Sequence, residues 1–141
     1  MAIKFNFNPK GTTQKDPGAF KGECELVSML YTKSKKGNPM VKLTWKYNDC
    51  VFIDYHTCFD DKHKESEIQW LGKIVYALNE DPQEFVTEGK PDTLDSLLSL
   101  MCDTITEQLK FKATIERSKR DSSSSFYDCY LDLNEPITKL S

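Results

Sequence analysis

A mostly β domain with helices grouped in its middle is the fold class predicted by three observations. Short alternating apolar and polar segments, bounded by turn residues, fill residues 20–59 and recur over 108–134. A stretch of helical period separates them. The 141 residues carry 11% aromatic side chains, enough for one domain with a real core and well above a disordered composition.

Taken in order, the first residues, "MAIKFNFNPKG", alternate apolar and polar and include Lys4, Asn6 and Asn8. Residues 9–18, "PKGTTQKDPG", hold two prolines, two glycines and no apolar residue, and read as an arm or loop. "ECELVSMLYT" then reads as a strand whose imperfect alternation predicts a bulge. "KSKKGNP" is a turn, because Gly37 and Asn38 tolerate positive φ and Pro39 stops pairing. Residues 40–47 alternate cleanly, with Val41, Leu43, Trp45 and Tyr47 inward and Met40, Lys42, Thr44 and Lys46 outward. Asn48 and Asp49 form a tight turn, and 51–59 is a third strand.

The period then changes. Residues 66–79 read as a helix capped by Ser66 and Gln69, with Ile68, Leu71, Ile74, Val75 and Leu78 on one face. A second helix is expected over 93–102, capped by Asp92 or Thr93, with Leu94, Leu97, Leu98 and Met101 inward. Strand pattern returns at 108–117, with Leu109, Phe111, Ala113 and Ile115 on one face. "SKRDSSSS" is a loop and "FYDCYLDL" a last strand, with Tyr127, Cys129, Leu131 and Leu133 inward.

The order β-β-β-α(α)-β-β is that of a five-stranded OB-fold barrel, with an enlarged helical insertion at about 62–106 between strands three and four. The chain accordingly divides into an arm at 1–19, the OB-fold domain at 20–134 and a tail at 135–141.

Charge is unevenly placed. Residues 26–48 and 108–120 together hold 10 of the 19 basic residues and one of the 22 acidic ones, a net +9 against −12 elsewhere. In an OB barrel these segments carry the loops that grip oligonucleotides, over the face of strands two and three. An acidic chain can so attract a polyanion locally. The candidate contacts are Lys33, Lys35, Lys36, Lys42 and Lys46 from the first segment and Lys110, Lys112, Arg117, Lys119 and Arg120 from the second. Each segment alone reads as a solvated face; the pair points to a strand of nucleic acid.

Base stacking needs exposed aromatic faces beside such lysines. Trp45, Tyr47, Phe52, Tyr55, Phe126 and Tyr127 are the candidates. Trp45 and Tyr47 lie on the apolar face of strand two and read as core. Val51, Ile53 and Tyr55 form the apolar face of strand three, which turns Phe52 and His56 outward, beside Lys42 and Lys46. Phe126 follows the basic loop directly. Phe52 and Phe126 are therefore the expected stackers.

Other chemistry is weakly signalled. Cys50, His56, Cys58 and His63 lack a CxxC pair, so no metal or other cofactor is expected. Asp54, Asp60 and Asp61 lack the second carboxylate cluster and positioned lysine of a magnesium-dependent nuclease. No Gly-rich phosphate loop and no G-x-S-x-G is present, so an enzyme is not expected. Five scattered cysteines read as reduced thiols in a cytoplasmic setting. No apolar run is long enough for a membrane span, so no membrane partner is expected.

The segment "FKGECELVSMLYTKSKKGNPMVKLTW" resembles the opening of small phage-encoded OB-fold single-stranded-DNA-binding-like proteins. The polar start "MAIKFNFN", the strand with Asp54, the helix "WLGKIVYALN" and the late strand "FYDCYLDL" are similar in order. The likeness covers about residues 1–80 and 108–134. It implies a phage replication or recombination accessory, acting in the cytoplasm of a bacterial host cell. The expected function is non-enzymatic binding of single-stranded DNA, with RNA as an alternative ligand. Phage or host replication or recombination proteins are the expected partners. The alternative is a phage OB-fold interaction module that binds a host or phage protein. Exposed strand edges leave a homodimer open.

Overall fold

A computed structural model of the protein describes residues 16–84 and 90–140, so most of the expected arm lies outside the described residues. The elements are β1 (Phe20–Lys33), β2 (Pro39–Tyr47), β3 (Cys50–Thr57), α1 (Asp61–Ala77), α2 (Leu94–Gln108), β4 (Phe111–Lys119), β5 (Tyr127–Leu131) and β6 (Thr138–Lys139). The protein is mostly β with some helix. The six strands among the described residues form one antiparallel sheet in the order β3-β2-β1-β4-β5, with β6 also on β4. The sheet is not closed, because no ladder joins β3 to β5 among the described residues. The closure expected of a five-stranded barrel is therefore not seen among the described residues.

β1 organises the sheet. Its first half, Phe20 to Glu25, pairs with β4, and its second half, Glu25 to Lys33, pairs with β2. The register shifts between Leu26 and Ser28, where the broken alternation predicts a bulge. Beyond the bulge β1 has left β4, and the edge at Met29 needs another partner. Thr106 of α2 supplies it. Its hydroxyl accepts from the Met29 N–H at 2.8 Å and donates to the Met29 carbonyl at 2.7 Å. One helix side chain thus covers an edge that would otherwise be open to pairing.

The turns follow their residues. Gly37 takes φ +86° and Asn48 φ +53°, conformations open to glycine and tolerated by asparagine. The inward faces of β2 and β4 meet in the core, where Trp45 lies edge-on to Phe111 at 5.7 Å. Leu71, Ile74 and Val75 of α1 and Leu98, Met101, Cys102 and Ile105 of α2 complete it.

Both helices differ from their expected bounds. α1 begins at Asp61 rather than Ser66, because the Asp60 carboxylate caps it by accepting from the His63 N–H at 2.9 Å. Ser66 lies inside the helix and donates back to the Lys62 carbonyl at 3.1 Å. α2 starts at the expected Thr93 cap but runs on to Gln108, since Ile105 continues its buried stripe. β4 consequently starts at Phe111. Leu133 lies beyond β5 and is exposed rather than inward. Among the described residues no helix is long and apolar enough to cross a membrane.

Candidate nucleic-acid interface

The outer face of β1–β3 is built by register. Leu30, Lys42 and Tyr55 form one row across the three strands, and Ser28, Thr44 and Ile53 form the next. Thr32, Met40 and Thr57 make a row on the turn side. Tyr55 is 53% exposed, Leu30 48% and Ile53 40%, an apolar and aromatic surface with Lys42 at its centre. Lys33, Lys35 and Lys36 stand exposed around the adjoining turn. The ion pairs among the described residues are made by Lys21, Lys64, Lys139, Arg117, Arg120 and the two histidines. Lys33, Lys35, Lys36 and Lys42 thus make no ion pair among the described residues.

The other expected lysines sit in different company. Lys46 and Lys112 both pair across strands with Glu25 and share a shallow hollow with Glu23 and Asn48. Their charge is largely balanced there. Lys110 is exposed just before β4 and Lys119 at its end. The β4–β5 loop stands at the Phe20 end of β1, because Phe20 pairs with Arg117. The β1–β2 turn stands at the other end, after Lys33. The β1–β2 turn and the β4–β5 loop therefore lie at opposite ends of β1 rather than meeting at one point. In the β4–β5 loop, Arg120 donates to the Asp128 carboxylate at 2.9 Å and lies 5.7 Å from the centre of the exposed Phe126 ring.

Three expected contacts turn inward. Phe52 is 5% exposed, opposite Trp45 in register and edge-on to Phe20 at 5.6 Å. Strand three thus faces the reverse way from the sequence expectation, and Tyr55 is the outward aromatic. His56 shares the inward parity. Its Nε2 lies 2.8 Å from Asp54 Oδ2 and its Nδ1 2.8 Å from Glu67 Oε2 of α1, with the ring against Trp70. Burial opposes the charge on this imidazole, but its two carboxylate hydrogen bonds outweigh burial and raise its pKa to about 10. Arg117 continues the inward parity of Phe111, Ala113 and Ile115. It donates to Asp16 Oδ1 at 2.7 Å and to the Gly18 carbonyl at 2.8 Å. Its guanidinium lies between the Phe52 and Tyr127 rings, 5.2 and 3.9 Å from their centres. The Gly18 N–H and this guanidinium hold the Asp16 carboxyl below its ordinary pKa.

Between β3 and β5 lies a gap of about 380 Å³ lined by Trp45, Asp54, His56, Trp70, Ile115, Cys129 and Leu131 among others. All five cysteines are free. Burial pushes Cys24, Cys102 and Cys129 up to about 12 and Cys58 to about 11, so these four are protonated thiols at neutral pH. Among the described residues no group of three or more His, Cys, Asp or Glu is arranged to hold a metal ion. Comparison with protein-family models, curated proteins and solved structures returns no match.

Proposed function

We propose that the protein is a non-enzymatic binder of single-stranded nucleic acid with little sequence preference, and that the strand lies on the outer face of β1–β3. The row Leu30–Lys42–Tyr55, beside Lys33, Lys35 and Lys36, which make no ion pair among the described residues, carries this reading. Lysines without carboxylate partners have their full charge available for phosphates, and an exposed tyrosine beside them offers a base a stacking face. The strand order supports an OB-type reading, since joining β3 to β5 would complete that barrel. In that architecture the outer face of strands two and three is the binding face. A phage replication or recombination role in the host cytoplasm follows from the family resemblance in the sequence.

Anisotropy titration of a labelled oligothymidylate at two salt concentrations tests this. Tyr55→Ala weakens binding by about 1–3 kcal/mol, the worth of one stacked base. The double variant Lys35→Glu, Lys36→Glu weakens it further and flattens the salt dependence by about 0.7 per lost phosphate contact. Binding that ignores both substitutions, or that lacks salt dependence, removes this face from the site.

A further inference from the structure

Both tryptophans of the chain line one cavity of about 380 Å³, bounded by residues of β2–β5 and of α1. That volume is at the lower end of small-molecule sites, about 300–1,000 Å³. Its polar groups are not used up within the fold. His56 spends one ring nitrogen on Asp54 Oδ2 and the other on Glu67 Oε2, each at 2.8 Å. A carboxylate can accept about four hydrogen bonds. Asp54 Oδ1 and Glu67 Oε1 accept none among the described residues, and both side chains are partly exposed. Trp45 forms part of the wall, and its buried Nε1 donor has no acceptor among the described residues. A buried donor left without an acceptor is rare in native folds and points to an unseen partner. Trp70 is half-buried, 4.9 Å from the His56 ring, and Ile115 and Leu131 add apolar surface.

We propose that this cavity is a nucleobase site and that guanine is the base it takes. Each wall asks for one feature of the ligand. An indole beside aliphatic side chains suits a flat ring. The open carboxylate oxygens ask for neighbouring N–H donors, and the indole N–H asks for an acceptor. Guanine carries two adjacent N–H groups on one edge and the O6 and N7 acceptors on the other. Thymine offers a single ring N–H between two carbonyls and no amine. A guanidinium ion offers the donors but no acceptor. A free guanine nucleotide and a guanine within a strand present the same ring. The cavity is built on Asp54 and His56 of β3, whereas Lys42 and Tyr55 lie on the outer face, so this inference stands apart from the strand-binding reading.

Tryptophan emission of the full chain reads occupancy directly, since both indoles line the cavity. Titration with guanosine, or with an oligothymidylate carrying one dG, shifts the emission saturably. Thymidine at the same concentration leaves it unchanged. Glu67→Gln keeps an oxygen for His56 Nδ1 but turns an amide donor toward the ring, and weakens guanosine binding at least about tenfold. Trp70→Leu, at a half-buried position of α1, removes the stacking face and weakens it about tenfold or more, with Trp45 as the remaining reporter. Cooperative thermal melts establish that both variants fold. A shift with the dG-bearing strand alone assigns the ring to a bound strand, and a shift with guanosine alone assigns it to a free nucleotide. No saturable shift with either overturns the proposal. So does an equal shift with all four nucleosides, or with methylguanidine, or an unchanged affinity in both folded variants.

Discussion

Replacing His56 by alanine lowers the unfolding free energy by about 3–5 kcal/mol at pH 6, the usual cost of removing one partner from a buried ion pair. The imidazolium bridges Asp54 and Glu67, each 2.8 Å from one of its nitrogens, and the three side chains are 15–21% exposed. Without it two carboxylates face each other with little water between them. The effect has a pH signature. The folded-state pKa of about 10 lies above the ordinary 6.5, so protonated His56 stabilises the fold fully below about pH 6.5. That contribution declines as pH rises toward 10. Urea titrations of wild type and His56→Ala at pH 6, 8 and 9.5 should therefore show a difference that shrinks upward. A difference that is constant over this range, or that grows, means the imidazole is not held as a cation.

Phe52→Ala is expected to cost about 3–5 kcal/mol of stability, the range for a truncated core phenylalanine. The ring fills the space against Phe20 and Trp45 and covers one side of the Arg117 guanidinium. Arg117 is itself buried, so loss of that cover exposes a charge held by Asp16 and Gly18. Affinity for oligothymidylate should change little, since the side chain points away from the outer face. Tyr55→Ala should do the reverse, with small loss of stability and large loss of binding. Thermal melts of the two variants separate the facings of β3, and a near-neutral Phe52→Ala would restore the opposite one.

The facing of β3 shows where the sequence stops being informative. "VFIDYHTCF" has apolar residues at both parities. Hydrophobicity favours burying Val51, Ile53 and Tyr55, because the other set includes Asp54 and His56. The structure buries the charged set because Glu67, from the following helix, completes a satisfied trio. That partner lies 11 residues from His56 and carries no local signal. Arg117 was more legible. The alternation Phe111, Ala113, Ile115 extends to it, so strand parity already points the side chain inward, against the pull of the basic residues around it. The three-strand meander, the faces of β2 and β4 and both helices were readable from period and turn chemistry. The start of α1 was not, since "DDKHKE" is a poor apolar pattern and its capping role belongs to one aspartate.

The divided pairing of β1 sets the order in which this chain acquires its fold. Its β2 half joins neighbours, with Lys33 opposite Pro39 across a short turn. Its β4 half joins residues far apart in sequence, as Glu25 is opposite Lys112. Closing that long loop costs entropy before any contact repays it, which slows folding. The β1–β2–β3 meander should therefore be formed in the rate-limiting transition state and the β1–β4 ladder assembled after it. In stopped-flow kinetics, Leu43→Ala then slows refolding, while Ala113→Gly and Thr106→Val chiefly hasten unfolding. The opposite partition would mean that the long-range ladder is the nucleus.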